Sequence, residues 1–275
     1  MSSFSINTNI NAASIRRRAQ NASESLNDRL EKLASGLDIN SASDDAAGLA
    51  ISQKVTSQIR GGSQALKNLQ DGISLLQTAE GGTQAIQENL QRIRELSVRA
   101  SNSATLTDED QEKIQSEVDQ LTEEIDRVAE DTEFNGKNLL NGDISSGTQI
   151  QAGADQGDTV SISVGDLSSD SLGVSSLDVT TESGVSDALD SVTGALNQVA
   201  TERADIGSTV NRLDSSIDSS LIQRENEQAA RSQIRDANLA REATERAQSS
   251  LLTQAGTSTL AQANDIQGSN ALNLL

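Results

Sequence analysis

The sequence predicts a mainly α-helical protein: an elongated antiparallel coiled-coil rod with a small β-hairpin region and two terminal helical arms. Three observations carry that prediction. The 275 residues include no proline, so the strongest helix breaker is missing throughout. Only 34% of residues are apolar and only two, Phe4 and Phe134, are aromatic, which suits seams of aliphatic side chains along helices better than one compact core. Aliphatic residues also recur at steps of three and four over long stretches.

Taken in order, Leu26, Leu30, Leu33 and Leu37 fall on one stripe of a first helix. A second helix is expected from about Asp44 to Ala100, with Val55, Ile59, Leu66, Leu69, Ile73, Leu76, Ala79, Ile86, Leu90 and Ile93 on its seam. Gly61-Gly62 and Gly81-Gly82 weaken helix propensity there and mark bends or close helix contacts. Thr107 before Asp108, Glu109 and Asp110 reads as an N-cap opening a third helix, with its stripe at Ile114, Val118, Leu121, Ile125 and Val128.

Helix gives way over 141–181, which hold 13 Ser/Thr and six Gly. Val160, Ile162 and Val164 alternate with serines, and Ile150 and Ala152 precede them across the turn-like DQGD, so a small hairpin is expected. Helix then resumes with a heptad through Val185, Leu189, Val192, Leu196, Val199, Ile206, Val210, Leu213 and Ile217, interrupted by Arg203. The last segment is rich in Ala and Gln, with Leu251, Leu252, Leu260, Leu272, Leu274 and Leu275. So thin an apolar face leaves an isolated helix marginal in water.

Charge divides the chain. Residues 1–40 carry +1, 41–235 carry −19 and 236–275 carry −2. Three segments follow: arms at 1–40 and 236–275, a rod at 41–140 and 182–235, and a short hairpin and loop segment at 141–181. The nearly neutral arms lack an obvious partner within the rod, so arms of different copies are expected to pack together, and head-to-tail contacts that do not close extend into a filament. The net charge of −20 opposes nucleic acid and anionic lipid as partners, and no stretch has the length of a membrane span or a secretory signal core.

No enzyme is expected. Without Cys or His there is no thiolate nucleophile, imidazole shuttle or zinc cluster, and no metalloprotease, nucleophile-elbow or P-loop motif occurs. No cofactor and no metal site are expected either.

LASGLDINSASDDAAGLAIS at 33–52 and IRDANLAREATERAQSSLLTQAGTSTLAQAN at 234–264 resemble the two terminal hallmarks of bacterial flagellins, and SINTNI (5–10) and FNGKNLL (134–140) match as well. The chain is identified as a member of that family. The resemblance implies a helical homopolymer, the extracellular flagellar filament used for swimming, with the arms in its inner layer around a channel. It also implies passage through the flagellar export apparatus, unfolded and without a cleaved signal. An export chaperone, the filament cap and hook-junction proteins are further partners it implies. The nearest alternative is a hook–filament junction protein of the same family; a coiled-coil adaptor of fixed size is the next. Asp38 and Ser43 stand where many members carry basic residues, and the resulting acidic bias fits either a salt-rich habitat in which counterions screen self-repulsion or simply an acidic variant of the family.

Leu26, Leu30, Leu33, Leu37, Leu251, Leu252 and Leu260 are the expected polymerisation residues. Leu69, Leu76, Leu90, Leu189, Leu196, Val210 and Leu213 are the expected rod seam. By the resemblance, Arg92, Leu96 and Glu117 form a surface for Toll-like receptor five; the plainer reading is a solvated ion pair beside a packing leucine. Arg16, Arg17 and Arg18 read foremost as a solvated helix face, and Asp44-Asp45 as caps of the following helix, since two adjacent carboxylates supply too few oxygens for calcium. The Ser/Thr-rich tract 141–181 suits O-linked sugar or a plain loop equally.

Overall fold

The computed structural model describes residues 9–102 and 104–272. Phe4, the first four residues of SINTNI, Leu274, Leu275 and the side chain of Leu272 lie outside that description. Among the described residues five helices dominate: α1 (Ile10–Ser35), α2 (Ala46–Ala100), α3 (Asp108–Asp131), α4 (Glu182–Arg235) and α5 (Leu239–Leu272). Two small antiparallel strand pairs complete the fold: β1 (Glu133–Phe134) with β2 (Lys137–Asn138), and β3 (Thr148–Gln151) with β4 (Thr159–Ile162).

The chain forms two compact units. One comprises residues up to 57 and from 226 onward; the other spans 58–225. The charge-based boundaries at 40 and 236 both fall inside the first.

In the second unit α2 supplies Leu69, Leu76, Ile86, Leu90 and Ile93, all fully buried, and α4 opposes them with Val185, Val192, Val199, Ile206 and Leu213 at seven-residue steps. α3 adds Ile114, Val118 and Ile125. Its start follows the expected chemistry: the Thr107 hydroxyl accepts from Asp110 N at 3.2 Å, and the Asp110 carboxylate accepts from Thr107 N at 3.3 Å. α2 runs unbroken through both glycine pairs. Gly61 faces Ala154, and a methyl group added at Gly82 would lie 2.6 Å from Leu140 Cδ1; both are close contacts.

The hairpin forms where alternation placed it, with Ile150 opposite Val160, although Ala152 and Val164 lie just beyond the strands. The segment after it has no regular structure yet is part of the core. Val164, Leu167, Leu172, Val174 and Val179 are buried. Two side chains of α3 hold their backbone. Asp126 accepts from Ser169 N (2.8 Å) and Ser169 Oγ (2.7 Å), while the Gln115 amide donates to Leu177 O (2.7 Å) and accepts from Val179 N (2.8 Å). Polar backbone that no ladder satisfies is thereby paired before burial.

At the end of α1 the structure departs from the sequence expectation. Leu37 does not continue the α1 stripe: the helix ends at Ser35, Gly36 takes a left-handed φ of 73°, and Leu37 pairs with Asp236 in an antiparallel bridge.

Removing a fully packed side chain from this core leaves a cavity. Leu76→Ala is expected to lower unfolding stability by about 2–5 kcal/mol. Gln115→Ala, which orphans two backbone groups, costs about 1–3 kcal/mol. Denaturant unfolding followed by far-ultraviolet circular dichroism measures both.

Candidate polymerisation surface

The first unit is built on α1 and α5. Asn9 caps α1 by accepting from Ala12 N at 2.9 Å, and its amide donates to Ala263 O on α5 at 3.3 Å. Further along, Ala19 meets Gly256, Arg29 meets Glu242, and Ala237 N donates to Gly36 O at 2.9 Å. The pairing therefore runs antiparallel over the length of α1. Beyond the helix ends the backbone closes it, with Asp38 N donating to Arg235 O at 2.7 Å.

Little of this contact is apolar. Among the described residues of the unit only Ala12 and Ile39 are buried apolar ones, whereas every member of the contiguous buried cluster lies between Leu69 and Leu213, in the other unit. Charge replaces the missing core. The Glu242 side chain is 0% exposed; it accepts from Arg29 at 2.9 Å and from Arg241 at 3.4 Å. Arg29 also reaches Glu245 at 2.9 Å, and Asp38 pairs with Lys32 and, at 3.6 Å, with Arg241. The hydrogen bond to Glu242 and the neighbouring carboxylates hold the Arg29 guanidinium still more firmly protonated than usual. A carboxylate this deep is tolerable only with such partners.

Among the described residues, seven large aliphatic side chains of the unit are exposed instead. Ile10 is 72% exposed and Leu251 67%, and Leu30, Ile51, Leu239, Leu252 and Ile266 are exposed too. Of the expected polymerisation residues, then, Leu30, Leu251 and Leu252 lie open to solvent, and Leu26, Leu33, Leu37 and Leu260 are half-buried. The expected rod-seam residues are placed in the other unit: Leu69, Leu76, Leu90 and Leu213 fully buried, Leu189, Leu196 and Val210 partly so. Ile10, Leu239 and Ile266 were not singled out by sequence, nor was Glu242.

Elsewhere, Arg92 donates from Nε (3.0 Å) and Nη2 (2.7 Å) to Glu117 and from Nη1 (3.1 Å) to Glu95, on an exposed face. Leu96 is 2% exposed, so a partner approaching this face meets the ion pair and not the leucine. Arg16, Arg17 and Arg18 are solvated. Asp45 caps α2, accepting from Ala47 N and Gly48 N at 3.0 Å, but Asp44 does not: it turns back to accept from Asn40 N and Ser41 N.

A helical chain with one self-sufficient core, and with terminal helices that leave their aliphatic side chains in water, is of the self-associating structural class. Residues 6–144 match the family model for the bacterial flagellin N-terminal helical region and 189–275 that for the C-terminal helical region. The chain belongs to the bacterial flagellin family, whose members are structural proteins and not enzymes. It is 41% identical to the flagellin of Bacillus subtilis (strain 168), over 98% of this chain and 99% of that one. To the flagellar filament 33 kDa core protein of Treponema phagedenis it is 38% identical, over 94% and 96%. The crystal structure of Bacillus cereus flagellin superposes with a TM-score of 0.50 at 30% identity, covering 56% of this chain and 88% of that one.

Acid should loosen the junction at 36–45. The hydrogen bond and charge of Lys32, with Arg241 behind it, hold the Asp38 carboxyl below the usual range against the opposing effect of burial; the N–H groups of Ser41 and Asn40 do the same for Asp44. Both carboxyls bind protons more weakly in the folded chain than in the unfolded one. Their stabilisation is therefore complete above about pH 4 and is lost as pH falls through the lower folded values. Asp38→Asn and Asp44→Asn should each flatten the acid limb of stability against pH, measured by thermal unfolding of the full chain; an unchanged limb would contradict this.

Proposed function

We propose that this chain is a structural subunit of the bacterial flagellar filament and that the α1–α5 unit is the surface through which copies join. One observation supports the reading above the others: within the described residues, seven large aliphatic side chains of this unit are exposed against two buried apolar ones.

Magnitudes indicate the mode of assembly. Burying an aliphatic side chain fully contributes about 1.5–3 kcal/mol, and these start roughly half-covered, so a subunit gains on the order of 5–10 kcal/mol. Association costs about 4–15 kcal/mol in lost freedom. One contact is thus near break-even, while a subunit seated among several neighbours is held firmly. Growth from seeds follows, with few free dimers.

On this reading the filament lies outside the cell and the chain leaves by the flagellar export apparatus in an unfolded state, which the lack of cysteine cross-links makes easier. An export chaperone, the filament cap and hook-junction proteins are its other partners. The Arg92–Glu117 face is offered to Toll-like receptor five; a receptor reporter assay with monomer tests that, and silence at high dose removes it.

Leu251→Asp with Leu252→Asp should leave the helical content and melting of the 58–225 unit unchanged and abolish seeded elongation in negative-stain electron microscopy. Long filaments from the double variant would refute the assignment. Wild-type chain that coats seed ends without extending them would be a junction protein.

A further inference from the structure

The sequence holds two Asn-Gly pairs, Asn135-Gly136 and Asn141-Gly142, close together in the chain and opposite in circumstance. Asn135 and Gly136 are the two loop residues of the β1–β2 hairpin, with φ of 52° and 74°, the left-handed pair that a type I′ turn demands. Both are exposed. Among the described residues, no hydrogen bond engages the Asn135 amide or the Gly136 N–H. The ladder that holds the turn is two residue pairs long, backed by Leu139 N donating to Thr132 O at 2.9 Å, so it opens locally at small cost. Asn141, by contrast, is half-buried and committed: its amide donates to the Asp143 carboxylate at 3.3 Å and its carbonyl accepts from Asp143 N at 3.1 Å.

We infer that Asn135 is a site of spontaneous covalent modification, deamidating through attack by the Gly136 backbone nitrogen, and that Asn141 is shielded from the same reaction. The Gly136 nitrogen bonds to Asn135 Cγ and gives up its proton; the Cγ–Nδ2 bond breaks and the amide departs with that proton as ammonia. Water then opens the cyclic imide at either carbonyl, leaving aspartate or isoaspartate. Glycine at the next position suits the attack because no side chain hinders its nitrogen.

The product matters to the fold. Either outcome adds a negative charge to a chain already at −20. Isoaspartate also carries the main chain through the former side chain and lengthens a two-residue loop that cannot lengthen while Phe134 stays paired with Lys137. That register leads directly into Leu139 and Leu140, both fully buried. Asn135 thus acts as a clock of molecular age at the edge of the core.

The test is to hold the full-length native protein in neutral and mildly alkaline buffer, with a parallel sample in denaturant. Conversion at each asparagine is then followed by digestion and fragmentation mass spectrometry, which separates aspartate from isoaspartate. In the native sample Asn135 should convert faster than Asn141 by roughly tenfold or more, since two hydrogen bonds must break first at Asn141. In denaturant the two rates should converge. Equal native rates, no conversion at Asn135, or a ratio that persists in the unfolded chain would each overturn the inference. Asn135→Gln should remove the aspartyl signal from this turn and leave that of Asn141 unchanged.

Discussion

Scarcity of bulky apolar side chains is the constraint from which the rest follows. With two aromatics in 275 residues, bulky apolar surface is scarce, and the contiguous buried cluster lies wholly between Leu69 and Leu213. In the terminal helices, among the described residues, Ala12 is the one buried apolar side chain, and Leu26, Leu33 and Leu260 are only half-covered. These helices are joined by Asn9, by an ion-pair cluster around Arg29, Glu242, Asp38 and Lys32, and by backbone bonds at 36–39. Such contacts fix register and add little net stability, because desolvation offsets most of the attraction. The leucines and isoleucines of these helices remain available to other copies.

Local pattern made most of the helical fold legible. The heptad from Val185 to Ile217 is an observed helix face, and the cap at Thr107 and the alternation of Val160 and Ile162 stand where the residues indicate. Elements fixed by distant partners were not legible. Leu167, Leu172, Val174 and Val179 follow no period, and the backbone of their segment is held at Ser169, Leu177 and Val179 by Asp126 and Gln115 on another helix. Glu242 reads as an ordinary solvated glutamate, since Arg29 lies 213 residues away in the chain. The β1–β2 hairpin did carry a local signal, Asn-Gly, the strongest short one for a tight turn. That signal served only as part of a family motif. Leu37 fails for the converse reason: its spacing suits a helix, but the left-handed Gly36 stops the helix one residue before it.

For the surface, the sequence marked two of the open residues of α5, Leu251 and Leu252, which stand out in a stretch of Ala, Gln and Ser, but not Leu239 or Ile266. Electrostatics divides the labour in the same way. The acidic excess is carried by 41–235, at −19, while the ends are near neutral, so that, on the proposed mode of assembly, copies would meet there without strong repulsion.

The central claim is that α1 and α5 find their apolar burial among neighbouring copies and not within the subunit. Hydrogen exchange with mass spectrometry, comparing monomer with filament, measures this most directly. Amides of α1 and α5 should exchange fast in the monomer and become strongly protected in the filament, with α2 and α4 between residues 69 and 213 protected in both. Full protection of α1 and α5 in the monomer, unchanged on assembly, would contradict the account.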